Sequence, residues 1–264
     1  MKWSFVLLLP GVTSFFWAVV TLITKRNPSR AQILLSLMLI MIGFAATMLM
    51  VFFRGRAGSL FIYDYIFELV SIFSAPLYFL SVCSLSEPRG ATRKQRRVLL
   101  LPILFIVGLT IFSDLLGPRR YEEMCHAIRL GEASFIKGDH VYNLMYFWNH
   151  YFFNILMLSM SFVLLLISNH KLRLFVSRFN SYYAQRLKAK PLNGTWAGVA
   201  SWCFLPLALF TVILVDNQPF WMKYWLVATS LILTVVQWFM GRFVYSLDYD
   251  SRYLSNLIKI KKEE

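Results

Sequence analysis

Long apolar stretches separated by short polar and basic segments make up most of the chain. A hydrocarbon core about 30 Å thick needs about 20 residues of helix, because each residue rises about 1.5 Å and every backbone N–H and C=O must be paired within the helix. Seven stretches are long enough, and they run over residues 4–24, 31–53, 60–85, 98–116, 142–167, 196–215 and 222–246. The pattern predicts an all-α integral membrane protein, a bundle of about seven transmembrane helices.

The same pattern predicts a seven-helix membrane domain over 1–246 and a short cytoplasmic tail over 247–264. Lys2 followed by an apolar run is also typical of a signal peptide. Pro10 and Gly11 interrupt that run, however, and no small-x-small cleavage site follows before Thr24, which favours a retained helix. In the second stretch, Leu39 is expected to face lipid.

The basic residues indicate which way the helices run. If the N-terminus is outside, the cytoplasmic segments hold 19 of the 27 Lys and Arg residues and the external segments hold eight. Lys and Arg gather on the cytoplasmic side because moving them across the membrane is disfavoured. The prediction is an external N-terminus and a cytoplasmic C-terminus. The segment 117–141, with four basic and four acidic residues, is then a charge-balanced external loop.

Composition supports a membrane location. The 264 residues are 58% hydrophobic and only 15% charged, which is too apolar for an ordinary soluble domain. The net charge of +14 could suggest nucleic acid, but the basic residues occur in short runs between apolar stretches. That distribution indicates membrane orientation and contact with anionic lipid headgroups.

Six polar residues inside or at the ends of the predicted spans are the candidate ligand-pocket residues. They share the external half of the third, fourth and fifth spans, and they are Asp64, Glu68, Asp114, Asn149, His150 and Asn154. Charged groups in a bilayer are costly and usually face the bundle interior or a hydrated cavity, so this grouping predicts a polar pocket that opens outward. The alternative is that the aspartates are hydrated at the interface and the other residues hydrogen-bond between helices.

Sequence motifs for catalysis are absent. The chain has no HExxH, GxSxG, Walker loop or GxGxxG, and His150 has no second His or Cys at metal-ligand spacing. Cys83, Cys125 and Cys203 lie far apart without a CxxC pair, so they indicate neither a disulfide framework nor a zinc site. We therefore expect no enzymatic activity, no metal and no cofactor.

The segment 171–190 combines basic residues with apolar residues at helical spacing. Such a helix lies on the cytoplasmic membrane surface or extends the fifth span.

Several short patterns carry a resemblance that covers nearly the whole chain. They are LLLPGV at 7–12, KRNPSRAQ at 25–32, SAPLYFLSVCSL at 74–85, LLLP at 99–102 and WFMGRFVYSLDYD at 238–250. The chain resembles the membrane-embedded N-terminal sensor region of bacterial AraC-family transcriptional regulators. This resemblance implies a bacterial cytoplasmic membrane location. Similar membrane regions also precede histidine kinases. A kinase in place of the DNA-binding domain would change the output of the protein but not its sensor region.

The chain departs from that family after the last predicted span. An AraC-type DNA-binding region needs two helix-turn-helix units, whereas about 18 residues follow residue 246. We therefore expect no direct nucleic acid binding by this chain, which is a truncated or separately encoded sensor, or a stand-alone relative.

The resulting hypothesis is a membrane-embedded sensory or signalling module. Its expected partners are the lipid bilayer, an extracytoplasmic ligand, and a cytoplasmic effector or a second copy of the chain. Two alternatives stay open. One is a small-solute transporter or channel in which Glu68 and His150 exchange protons or line a path, and the other is a structural subunit of a membrane complex.

Overall fold

A computed structural model of the chain describes residues 6, 8–54, 60–86, 91–130, 134–186 and 219–246. Within these ranges every regular element is helical and no strand occurs. The predicted all-α class is therefore confirmed for the described residues. The predicted sixth span at 196–215 and the tail at 247–264 lie outside them.

The first three helices are α1 (Leu9–Thr24), α2 (Arg30–Arg54) and α3 (Leu60–Ser86). Pro10 lies in the first turn of α1, where its missing N–H costs no hydrogen bond. At the start of α2, the Ser29 N–H donates to Gln32 Oε1 at 2.9 Å and the Gln32 N–H donates to Ser29 Oγ at 3.2 Å. This reciprocal capping box fixes where α2 begins.

Two short elements precede the next long helix and one follows it. These are α4 (Arg93–Arg96), a 3-10 turn (Arg97–Leu99), α5 (Leu100–Leu116) and α6 (Pro118–Leu130). Sequence analysis treated 117–141 as a loop. The structure instead shows that half of it is helical, with Pro118 in the first turn and Tyr121, Met124 and Cys125 on the buried face.

The rest of the described chain comprises α7 (His140–Phe147), a π-helical turn (Trp148–Phe152), α8 (Phe153–Arg186) and α9 (Pro219–Ser246). Helix α8 is continuous for 34 residues. Of the two predictions for the basic segment that begins at Lys171, the structure favours the extension of the fifth span, because that segment continues the same helix to Arg186.

Among the described residues, four helices are long and apolar enough to cross a membrane. Their apolar windows are Arg30–Met48, Tyr65–Ser86, Arg93–Leu116 and Ile155–Phe175. Helix α1 and the part of α9 at Val227–Arg242 are apolar but shorter.

Helix α3 lies at the centre of the described bundle, where it packs against α2, α5, α6 and α8. Its apolar window is 78% buried, whereas the window that contains α5 is 17% buried and faces outward. The expectation that Leu39 faces lipid is wrong. Leu39 is 0% exposed in the interface that α2 forms with its neighbours, where it belongs to the same apolar cluster as Ala18 and Tyr78.

The bundle exposes apolar side chains and buries small polar ones. Large exposed apolar residues lie on α1, α2, α5, α8 and α9, and they include Ile23, Leu104, Leu115, Ile155 and Val235. Serines and threonines are buried between the helices, among them Ser14, Thr21, Ser36, Ser74 and Ser168. This distribution suits a protein whose surroundings are lipid, since lipid tails solvate apolar residues and small polar residues allow helices to approach closely.

Candidate functional site

The two ends of the bundle carry different charges. The Asp and Glu positions of the described helices and loops all lie at or near the end where α3 begins and α5 ends, and they are Asp64, Glu68, Asp114, Glu122, Glu123 and Asp139. We call this the acidic end. The opposite end, where α1 ends and α4 begins, has no carboxylate among the described residues, and its exposed cations are Arg26, Arg30, Arg93, Lys94, Arg96, Arg97, Arg173 and Arg242. We call this the basic end.

The structure divides the predicted pocket residues. Glu68 and Asn149 are buried, with 2% and 6% of their surfaces exposed, whereas Asp114 is exposed at the last turn of α5. The backbones of Asp64, His150 and Asn154 lie in helices, but their side chains fall outside the described part of the structure. Two of the predicted residues are thus placed in the bundle interior.

Asn149 connects the π-helical turn to α6. Its Nδ2 donates a hydrogen bond to the Tyr121 hydroxyl at 2.9 Å, and both side chains are buried. Tyr142 and Tyr146 on α7 are buried in the apolar cluster that also contains Tyr121. We call Tyr121, Tyr142, Tyr146 and Asn149 the acidic-end cluster, and the buried Glu68 lies in the same half of the bundle.

The described residues that lead into α7, from 134 onward, make polar contacts with α6 and α7. Arg120 forms an ion pair with Asp139. Asp139 also caps α7, because its Oδ1 accepts from the Tyr142 N–H at 3.1 Å. Asn143 accepts from the Ile136 N–H and donates to the Ile136 carbonyl, each at 2.7 Å. These bonds fix α6 relative to the start of α7.

The π-helical turn gives Asn149 its direction. A π turn adds one residue to a helical turn, so the side chains before and after it no longer follow one α-helical register. Trp148 lies in this turn and packs against α5, with its ring centroid 5.4 Å from that of Phe105 and 4.9 Å from that of Phe112. A Cβ atom on Gly108 would lie 2.8 Å from the Trp148 ring, so only glycine allows this close approach without a shift.

The same region joins α3 to its neighbours. The ring centroids of Phe67 and Phe153 lie 6.3 Å apart, and the Tyr65 hydroxyl lies 2.7 Å from Thr110 Oγ1. Glu68 therefore lies in a part of α3 that contacts both α5 and the start of α8. A carboxylate buried here could bind a cation, share a proton or hydrogen-bond a neighbouring helix.

At the basic end, three contacts attach α9 to the first two helices. Gln32 Nε2 donates to the Val244 carbonyl at 3.2 Å, and Lys25 Nζ lies 4.8 Å above the Tyr245 ring. The Trp17 ring packs against Gly241, where no Cβ could fit. We call these contacts the basic-end clasp.

Sequence analysis did not identify Tyr121 or Trp148 as site residues. A sequence signal for Tyr121 does exist. Tyr121, Met124 and Cys125 recur at the three- and four-residue spacing of one helical face, and Pro118 precedes them at a position typical of a helix start. Trp148 has no such signal, because its position depends on the π turn and on Gly108 of another helix.

The described residues contain no group of three or more His, Cys, Asp or Glu side chains that could hold a metal ion. In the same part of the chain, Cys83 and Cys125 are buried and form no disulfide with each other. Toward the acidic end, the buried polar side chains of the described residues include the Glu68 carboxylate, the Asn149 amide and the hydroxyls of Tyr121, Tyr142 and Tyr146. They can bind a small polar molecule through hydrogen bonds and aromatic contact.

Searches against family models, curated proteins and solved structures find no match to this chain.

Proposed function

We propose that this chain is a seven-helix sensory module of a bacterial cytoplasmic membrane, with its N-terminus outside and its C-terminus inside. The charge distribution supports the orientation. With the acidic end outside, the exposed cations of the basic end lie in the cytoplasm, as the distribution of Lys and Arg in membrane proteins favours. The apolar surface of α5 and α8 supports the membrane location.

The ligand site is the acidic-end cluster, and the observation that carries this proposal is the buried Asn149–Tyr121 hydrogen bond at a π-helical turn. π turns occur frequently at functional sites, because they direct side chains that a regular helix would place elsewhere. A ligand that competes for the Asn149 amide changes how α6 and the π turn are held. Tyr142 and Tyr146 offer ring surfaces and hydroxyl groups to the same ligand.

Helix α8 carries the change through the membrane. Its 34 residues span about 51 Å at 1.5 Å per residue, which exceeds the hydrocarbon thickness of about 30 Å. If the π turn relaxes to α-helix, the residues that follow it rotate by about 100° relative to α7, which is the rotation per residue of an α-helix. A rotation of this kind at the cluster moves the cytoplasmic end of α8.

The packing of the other helices leads from the cluster to α9. Helix α3 packs against α8 and α2, α2 packs against α1, and α1 packs against α9. The basic-end clasp then joins the end of α1 and the start of α2 to the last turns of α9. A ligand that prefers one of two arrangements shifts α9 by this contiguous route. The output is a cytoplasmic effector, and the resemblance to AraC-family sensor regions favours a transcriptional regulator.

The test is a binding screen on the purified chain in neutral detergent. Thermal unfolding is measured with a panel of amino acids, sugars, nucleosides and organic acids, and each compound that raises the midpoint is retested on Asn149→Leu. A sensor binds at least one compound, loses that binding in Asn149→Leu, and does not accumulate the compound inside proteoliposomes. Saturable uptake of the bound compound would contradict the sensor.

The buried Glu68 supports a second proposal, a small-solute transporter. An acid that is 2% exposed within a helix bundle can carry a proton between two sides of a membrane. Proteoliposomes loaded with a pH-sensitive dye would then show proton flux that Glu68→Gln abolishes. A sensor shows no such flux.

A further inference from the structure

Four exposed cations follow one another at the start of the α4–α5 region. Arg93, Lys94, Arg96 and Arg97 are all exposed, and no carboxylate among the described residues forms an ion pair with them. We call them the α4 platform. Four positive charges within five residues repel one another, so an anion that lies close to all four would stabilise them.

The platform has a fixed shape. Thr92 and Gln95 form a capping box, in which the Thr92 N–H donates to Gln95 Oε1 at 2.6 Å and the Gln95 N–H donates to Thr92 Oγ1 at 3.3 Å. Arg96 Nε donates to the Ala91 carbonyl at 3.0 Å. The backbone that carries the cations is therefore ordered before any partner binds, which reduces the entropy that binding costs.

An exposed apolar stripe begins directly beside the platform. Its residues recur every three or four positions along the helix, as one helical face requires, and they are Leu100, Leu104, Val107, Ile111 and Leu115. Each is more than half exposed. Few partners have a negative group at one end and an apolar body long enough to follow such a stripe.

We propose that the α4 platform and this stripe bind an anionic phospholipid of the cytoplasmic leaflet. The phosphate lies among Arg93, Lys94, Arg96 and Arg97, where planar guanidinium groups can donate two hydrogen bonds each to phosphate oxygens. The acyl chains lie along the exposed face of α5. The inference rests on the membrane placement proposed above, and not on the sensory role.

The experiment compares lipids on the purified chain by native mass spectrometry. Phosphatidylglycerol and phosphatidylcholine of equal chain length are added at equal concentration, and bound lipid is counted. We expect preferential retention of phosphatidylglycerol, and we expect each neutralised cation to weaken that retention by about fivefold. Equal retention of the two lipids would overturn the proposal.

Matched variants locate the site. Arg93→Gln/Lys94→Gln removes two platform cations that make no side-chain hydrogen bond among the described residues, and Arg26→Gln/Arg30→Gln removes two exposed cations elsewhere at the basic end. The first pair should lose about 25-fold in phosphatidylglycerol retention and the second pair much less. An equal loss in both pairs would assign the effect to general charge and reject the site. Arg93→Lys, which keeps the charge but loses the planar guanidinium, should weaken retention less than Arg93→Gln does.

Two soluble competitors distinguish the lipid from its headgroup. Inorganic phosphate and glycerophosphoglycerol carry the anion without acyl chains. Neither should displace phosphatidylglycerol at millimolar concentration, and Leu104→Ala should weaken lipid retention. Complete displacement by either competitor would identify a phosphate site in place of a lipid site. A topology reporter that places α4 outside the cell would refute the membrane placement separately.

Discussion

Glu68 lies on the buried face of α3, where a carboxylate has few ways to be stabilised. A charged residue at the centre of a membrane helix costs about 2.5–3.5 kcal/mol on insertion scales. At 1.5 Å per residue, Glu68 lies about 12 Å from Leu60, where α3 begins. A residue at this depth either serves a polar site or forms a helix contact, and the two roles respond differently to removal of the charge.

Glu68→Gln should leave expression and thermal stability close to those of the native chain, because the amide keeps the shape and most hydrogen bonding of the acid. It should weaken the response to a ligand found in the binding screen when the chain is joined to a reporter output domain. Val235→Ala is the control, since Val235 is 55% exposed on α9 and lies outside the stripe on α5. Loss of folded Glu68→Gln would indicate a structural ion pair, and an unchanged response would remove Glu68 from the site.

Tyr121→Phe should destabilise the chain by about 1–3 kcal/mol, because the buried Asn149 amide loses its acceptor and stays desolvated. The measurement is unfolding in mixed detergent micelles. The double variant Tyr121→Phe/Asn149→Leu should cost less than the sum of the two single variants by about 0.5–1.5 kcal/mol. Strict additivity would show that the hydrogen bond contributes nothing. Tyr224→Phe, on an exposed ring, is the control.

At the scale of elements, the hydrophobic pattern predicted where long helices lie but not how they are joined. The expected loop 117–141 contains α6, and the basic segment from Lys171 continues α8 without a break. Both outcomes have the same physical reason. A short amphipathic helix such as α6 is marginal by itself and forms because α3, α5 and α7 bury its apolar face, which local sequence does not show.

The contact between α1 and α9 is a second element-scale feature, and it depends on Gly241. Gly241→Leu should force the Trp17 ring away and destabilise the fold by about 1–3 kcal/mol, as overpacking of a core does. Trp17→Ala should lower the free energy of unfolding by about 3–5 kcal/mol, because it leaves a cavity between α1 and α9. Combining them should recover part of the loss, because the new leucine fills that space. Both single variants and the pair are compared by thermal unfolding.

Ala228→Leu is the matched control for this experiment, since it introduces the same side chain at an exposed position of α9. It should leave the unfolding midpoint nearly unchanged. A double variant that is less stable than either single variant would contradict the direct contact between Trp17 and Gly241.

For the whole molecule, the separation of charge between the two ends predicts the topology. A reporter that is active only outside the cytoplasm should be active when fused after Gly131, in the segment that follows α6, and silent when fused after Gln185, near the end of α8. The physical reason is that the basic end resists translocation. The reverse pattern of activity would show that the proposed orientation is wrong.

The sequence by itself determined the all-helical class of the described residues, the apolar character of the long helices and the unequal charge of the two ends. These properties depend on residues that are neighbours in the chain, because a membrane helix satisfies its own backbone hydrogen bonds. The sequence also singled out Glu68 and Asn149, since a polar residue in an apolar stretch is visible without a fold.

Only the tertiary structure decided which faces and which distant residues meet. Asn149 contacts Tyr121 across 28 residues, and Gln32 contacts Val244 across 212. Leu39 faces the bundle, and Leu104 faces away from it. Lipid tails are as apolar as leucine, so hydrophobicity does not distinguish a face that contacts lipid from a face that contacts another helix. Packing shape and interhelical hydrogen bonds make that distinction, and they exist only once the helices are assembled.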